Sequence, residues 1–184
     1  MTATAPPLVT AEELFVRPDD GLRHELVRGE LRTITAAGSE HGAIGAFLLG
    51  LLANCVHRQK LGRLFNADTG FLIARQPDTV RSPDVAFLGG ERGKALLPPG
   101  YYPGALDLAV EIVSPHDRAD AVQEKVQDWL RAGCREVWVV SPRHKTIAIH
   151  RPHADVVVAA EADTLESPEL LPGFSCSVAE VFAL

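Results

Sequence analysis

This 184-residue sequence predicts an α/β fold, a mixed β-sheet flanked by α-helices. Three observations lead there. Strand-like apolar runs alternate along the chain with stretches whose apolar residues recur at helical spacing, the order expected when helices cover a sheet. The composition, 46% hydrophobic and 23% charged, is that of an ordinary globular protein. The length suits a core that needs neither disulfides nor structural metals. Residues 1–184 are expected to form one domain, with about 1–8 as a flexible N-terminal extension, and no internal repeat interrupts it.

The elements follow in order. Thr10 is a suitable cap for a short helix at Ala11-Glu12-Glu13-Leu14, and Arg28-Gly29 marks the tip of a hairpin. Ser39 is read as the cap of a longer helix, in which Ile44, Phe47, Leu48, Leu51, Leu52, Cys55 and Val56 form one apolar stripe. Leu64 to Ala74 suggests strands broken near Asp68-Thr69-Gly70, followed by a turn at Arg75-Gln76-Pro77-Asp78. The Gly- and Pro-rich stretch from Gly89 to Gly104 reads as an exposed loop, long enough for a lid or an interface. Ser114-Pro115-His116-Asp117 opens a helix with apolar residues at Val122, Val126, Trp129 and Leu130, and Gly133 closes it. Strands are expected at Glu136 to Val140, Thr146 to His150 and Asp155 to Ala159, and a short docked helix at Val178 to Phe182.

Two segments carry acids inside apolar strands: Ser82-Pro83-Asp84-Val85-Ala86-Phe87 and Asp107-Leu108-Ala109-Val110-Glu111-Ile112-Val113. An ionised carboxylate there costs several kcal/mol unless something compensates it, and two such acids suggest a shared partner. A divalent metal is the economical one. Strand period puts Asp107, Ala109, Glu111 and Val113 on one face and Leu108, Val110 and Ile112 on the other. A cation beside Glu111 does not come from its own strand, where Val113 holds the corresponding position. Lys125, on the flank of the next helix's apolar stripe, can lay its stem over apolar surface and extend its ammonium toward Glu111. From spacing alone, a surface lysine snorkelling to water is the plainer reading.

Several function classes are excluded or disfavoured. The three cysteines, Cys55, Cys134 and Cys176, are far apart and in apolar segments, which fits reduced core thiols rather than disulfides or a zinc site. The N-terminus has no basic region followed by an apolar run, so no secretory signal is read and a cytoplasmic location is expected. The apolar segment from Ala43 to Val56 is short for a bilayer span and contains Asn54, so no membrane association is expected. A net charge of −6 disfavours tight nonspecific nucleic-acid binding, although Arg58, Lys60 and Arg63, and Arg143, His144 and Lys145, form local basic clusters.

Taken as an ordered series, these motifs resemble the Uma-two putative restriction endonuclease family, a branch of the PD-(D/E)XK nuclease-like superfamily. The resemblance rests on His24-Glu25-Leu26-Val27-Arg28-Gly29-Glu30-Leu31, His41, Ser82-Pro83-Asp84, Asp107 through Pro115, Lys125, Ala132-Gly133-Cys134-Arg135-Glu136-Val137-Trp138 and Leu171-Pro172-Gly173-Phe174. It implies a restriction endonuclease-like sheet and a metal site made by Asp84 and Glu111. Lys125 would be the motif lysine, migrated to the helix, and Glu25 a further acidic member at the pocket rim. The implied activity is Mg2+-dependent hydrolysis of phosphodiester bonds, with Mn2+ as a possible substitute. The implied partners are nucleic acid, DNA before RNA, and a second copy in a homodimer. His41 is a candidate for approaching substrate phosphate, although a packed or capping histidine is the plainer reading. Asp107 is a candidate in the second layer of the site. The competing function is a catalytically silent nuclease fold that binds nucleic acid or a protein partner.

Overall fold

The computed structural model describes residues 7–183, so most of the extension expected over about 1–8 lies outside the described residues. Helix α1 (Ala11–Phe15) opens with a capping box: the Thr10 hydroxyl accepts from the Glu13 N–H, and the Glu13 carboxylate accepts from the Thr10 N–H. Strands β1 (Arg23–Val27) and β2 (Glu30–Ile34) make the expected hairpin. Its tip residues, Arg28 and Gly29, both have positive φ, 52° and 80°, as a tight two-residue hairpin turn requires.

Helix α2 (Ser39–Gln59) has Gly38 rather than Ser39 as its N-cap. By length and composition it is long and apolar enough to cross a membrane, a test that the core helix of a globular protein also passes. Its Ile44, Leu48, Leu52 and Val56 stripe is nevertheless core, packed against the sheet.

Then come β3 (Gly62–Asn66), β4 (Phe71–Ala74), β5 (Thr79–Arg81), β6 (Val85–Gly89), α3 (Gly90–Lys94), β7 (Tyr102–Pro103) and β8 (Leu108–Ile112). The chain closes with α4 (Ala119–Ala132), β9 (Glu136–Ser141), β10 (Thr146–His150), β11 (Val157–Ala159), β12 (Thr164–Glu166), β13 (Ser175–Ser177) and α5 (Val178–Val181). Gly133 caps α4 at φ 102°, the left-handed conformation that glycine adopts without a Cβ penalty.

The strands form a six-stranded sheet, β11-β10-β9-β8-β6-β3, a five-stranded sheet, β2-β1-β5-β4-β7, and the pair β12-β13. In the larger sheet β8 lies between β9, parallel to it, and β6, antiparallel to it. The predicted alternation along β8 holds. Leu108, Val110 and Ile112 join α2 in one core layer, while Ala109 joins Val126 and Trp129 of α4 in another. The five-stranded sheet contributes Phe71 to this second layer, with its ring edge-on to Trp129 at 6.2 Å. A smaller third cluster joins α1 to Leu26, Leu72 and Val80.

The stretch from Gly89 to Gly104 is more ordered than a loop. It holds α3 and β7, and β7 pairs in parallel with β4. Tyr101 packs edge-on to Phe15, and Tyr102 lies against Phe65 and Phe71, so both tyrosines serve the core. Leu96, by contrast, is 98% exposed.

Candidate active site

Asp84 sits just before β6, where the chain passes from the five-stranded sheet into the six-stranded one. Its N–H donates to the Val110 carbonyl (2.9 Å), and its carboxylate Oδ2 accepts from the Ile112 N–H (2.7 Å). Pro83 has no N–H to continue the ladder. The Asp84 side chain therefore takes up the backbone donor at the end of β8 and is itself fixed there. The same Oδ2 lies 3.3 Å from His41 Nε2, in the first turn of α2. The hydrogen bond to Asp84 raises the proton affinity of His41 above the usual histidine value, against the effect of burial.

Glu111, near the end of β8, is 5% exposed. Both its oxygens are engaged by α4. Lys125 Nζ donates to Oε2 at 3.0 Å, and Trp129 Nε1 donates to Oε1 at 2.7 Å. The two donors stand four residues apart on one helix face. Burial pushes the Glu111 carboxyl above its ordinary range; Lys125 opposes this, and the nearby Asp84 and Glu25 reinforce it. The Lys125 ammonium is held more firmly protonated than usual, chiefly by Glu111.

What aims α4 at Glu111 is an ion-pair network on its other flank. Arg81, buried between the hairpin sheet and the helix, donates to Asp128 (2.6 Å) and to Glu25 (2.8 Å). Arg28 and Arg32 reach Glu124 at 3.0 and 2.6 Å. Glu25 is 2% exposed and also accepts from the Ser82 N–H at 2.9 Å, two residues before Asp84. It does not line the pocket, contrary to the expected rim position. It anchors the Ser82-Pro83-Asp84 turn from behind and is compensated by Arg81.

Asp84, Glu111, Lys125 and His41 line one pocket of about 440 Å³, with Arg23 and His116 among its other walls. Asp107 is not among them. It shares a strand face with Glu111 but lies four residues earlier, ~13 Å along a strand. There it accepts from the Gly89 N–H (2.8 Å) and from Arg92 (3.0 Å), a structural ion pair at the opposite end of β8. No residue from Gly89 to Gly104 lines the pocket either, so that stretch is not its lid.

Trp129 is the site residue that pattern reading missed. Its spacing marks it only as core; the one available signal is that a buried indole N–H requires an acceptor. Among the described residues, no three His, Cys, Asp or Glu side chains form a ready-made metal cage. The donor set still fits a hard divalent cation, because Mg2+ is commonly held by one or two carboxylates with water completing its shell.

Mixed sheets with helices on their faces define an α/β protein. The architecture matches the crystal structure of a putative nuclease belonging to DUF820 from Anabaena variabilis with a TM-score of 0.81. That match has 19% identity and covers 95% of this chain and 98% of the other, a likeness of fold. Residues 11–179 match the Uma2 family, described as putative restriction endonuclease, and the chain belongs to that family. None of the curated proteins matches it.

Proposed function

We propose that this protein is a metal-dependent endonuclease that hydrolyses phosphodiester bonds of nucleic acid, with DNA the expected substrate, at the pocket of Asp84, Glu111 and Lys125. The observation that carries this reading is the convergence of two strand-borne carboxylates and a helix-borne ammonium in one recess. Asp84 and Glu111 would hold Mg2+, or Mn2+ in its place, which when bound makes water more acidic and offsets negative charge at phosphate.

The chain's own groups account for the rest. A water oxygen attacks phosphorus and gives up a proton to solvent, the bond to the leaving ester oxygen breaks, and that oxygen takes up a proton from solvent, so that one water is consumed and no net proton is held by the protein. Lys125, fixed on Glu111 at 3.0 Å, is placed to orient the water or to donate to a non-bridging phosphate oxygen as charge builds there. His41 lines the same pocket as a further donor to phosphate. Glu25, with both oxygens accepting hydrogen bonds from Arg81 and the Ser82 N–H, keeps the Asp84 turn in place.

A second reading has its own observation: Lys125 and Trp129 together already occupy both oxygens of Glu111. Such a self-satisfied site suits a catalytically silent module that binds nucleic acid or a protein. Homodimerisation and a cytoplasmic location belong to the proposal and rest on the family resemblance and on sequence. The deciding test is cleavage of single-stranded, double-stranded and structured nucleic acids with Mg2+ or Mn2+, using wild type and Asp84→Asn. Metal-dependent cleavage lost in the variant supports the enzyme. Partner binding indifferent to both metal and Asp84, without cleavage, supports the silent module.

A further inference from the structure

One buried donor behind the pocket, in contact with Glu111 but not itself lining the cavity, has no part in the chemistry just described. The Trp129 indole is completely buried, set among Val126, Phe71 and Ala109, and its N–H spans 2.7 Å to Glu111 Oε1. A ring confined in this way is a fixed donor, unlike a water molecule or a flexible side chain. It restricts rotation of the carboxylate and leaves Oε2 as the oxygen facing Lys125. A carboxylate that is already oriented loses less conformational freedom when it captures a cation.

The chain's other tryptophan is a natural control. Trp138 is equally buried and its N–H donates to Glu136 at 2.8 Å, but Glu136, unlike Glu111, does not line the pocket.

We infer that Trp129 is a positioning residue: it orients Glu111 and thereby sets the affinity of the pocket for a divalent cation. This rests on the reading that Asp84 and Glu111 bind such a cation. The bond follows the general pattern in which a hydrogen-bond partner of a metal ligand tunes the site without touching the metal.

The test uses the full chain. Trp129→Phe keeps a buried aromatic ring and removes the N–H; Trp138→Phe does the same at the control position. Mn2+ affinity is measured by calorimetry, and the two indole N–H signals are followed by NMR during Mg2+ titration of wild type. The expected results are a loss of ~10–100-fold in Mn2+ affinity for Trp129→Phe, a change within about twofold for Trp138→Phe, and movement of the Trp129 signal alone. Wild-type affinity in a folded Trp129→Phe overturns the inference and leaves the metal site standing. Should that variant fail to fold, a Trp129 signal unmoved while Mg2+ binds overturns it equally. A wild-type protein that takes up neither ion overturns the metal reading and this inference together.

Discussion

Two buried glutamates, at opposite ends of the paired strands β8 and β9, are held by nearly the same set of groups. Glu111 takes a tryptophan N–H and a lysine; Glu136 takes a tryptophan N–H and an arginine. The difference lies in the cation and the neighbours. Arg151 brings two nitrogens onto one Glu136 oxygen, at 2.7 and 2.6 Å, and its planar, permanently charged head closes that site. Lys125 offers a single compact ammonium on a flexible stem, and Asp84 adds a second carboxylate to the same recess. An acid, an indole and a cation are therefore not a functional signature in themselves. A second carboxylate, Asp84, facing the same cavity as Glu111 is what sets that end apart.

The largest effect expected at one end and absent at the other is on catalysis. Glu111→Gln keeps side-chain size and removes the charge, so cleavage and Mn2+ affinity should fall by more than the ~10–100-fold typical of an indirect partner, with the folded fraction little changed. Glu136→Gln should leave cleavage per folded molecule near wild type. Equal losses in the two variants would erase the distinction.

Lys125→Met comes next. The apolar stem remains and the ammonium is lost, so kcat should drop on the order of 10–100-fold while metal is still bound, which single-turnover cleavage and Mn2+ titration would separate. Unchanged cleavage would remove Lys125 from the mechanism.

At the other end the expected effect is on stability. Arg151→Ala strands the buried Glu136, and because Arg151 is itself partly exposed the cost is discounted to roughly 2–3 kcal/mol, readable by denaturant unfolding. Cleavage at saturating metal should not change. A loss of activity without a loss of stability would put Arg151 in the wrong class.

The smallest effect is a pH slope. The Glu111 carboxyl is raised in the folded state, so the native protein binds that proton more tightly than the unfolded chain does. The contribution is fully present below the ordinary glutamate value and is lost as pH rises through the raised one. Glu111→Gln should therefore gain thermal stability relative to wild type on going from about pH 4.5 to neutral, by ~2–4 °C if the difference is about 1 kcal/mol. A difference independent of pH would mean that Lys125 fully compensates the carboxylate.

Much of this was legible in the sequence where one period governs position. Strand alternation put Glu111 opposite the Leu108, Val110 and Ile112 face, and helical spacing put Lys125 within reach of it. The same alternation misled at Asp107, because period fixes the face of a strand but not which end meets a cavity. Glu25 was found as a member of the cluster but not as buried, since its compensation comes from Arg81, a residue 56 positions away. Gly89 to Gly104 hid α3 and β7 because glycine and proline mask short elements, and the pair β12-β13 is too brief to show alternation. The two indole hydrogen bonds leave no periodic trace at all.

The Arg81 junction joins Glu25, early in the chain, to Asp128, far along it, and α4 brings both Lys125 and Trp129 to Glu111. While the polypeptide is being synthesised, the strands bearing Asp84 and Glu111 emerge before the helix that completes the recess. Domains fold as units once their segments are available. A ribosome-bound fragment ending at Ser114 thus carries the acids without the lysine, the indole or Asp128, the helix-borne partner of Arg81, and the completed recess arises only after α4 has docked, late in the birth of each molecule.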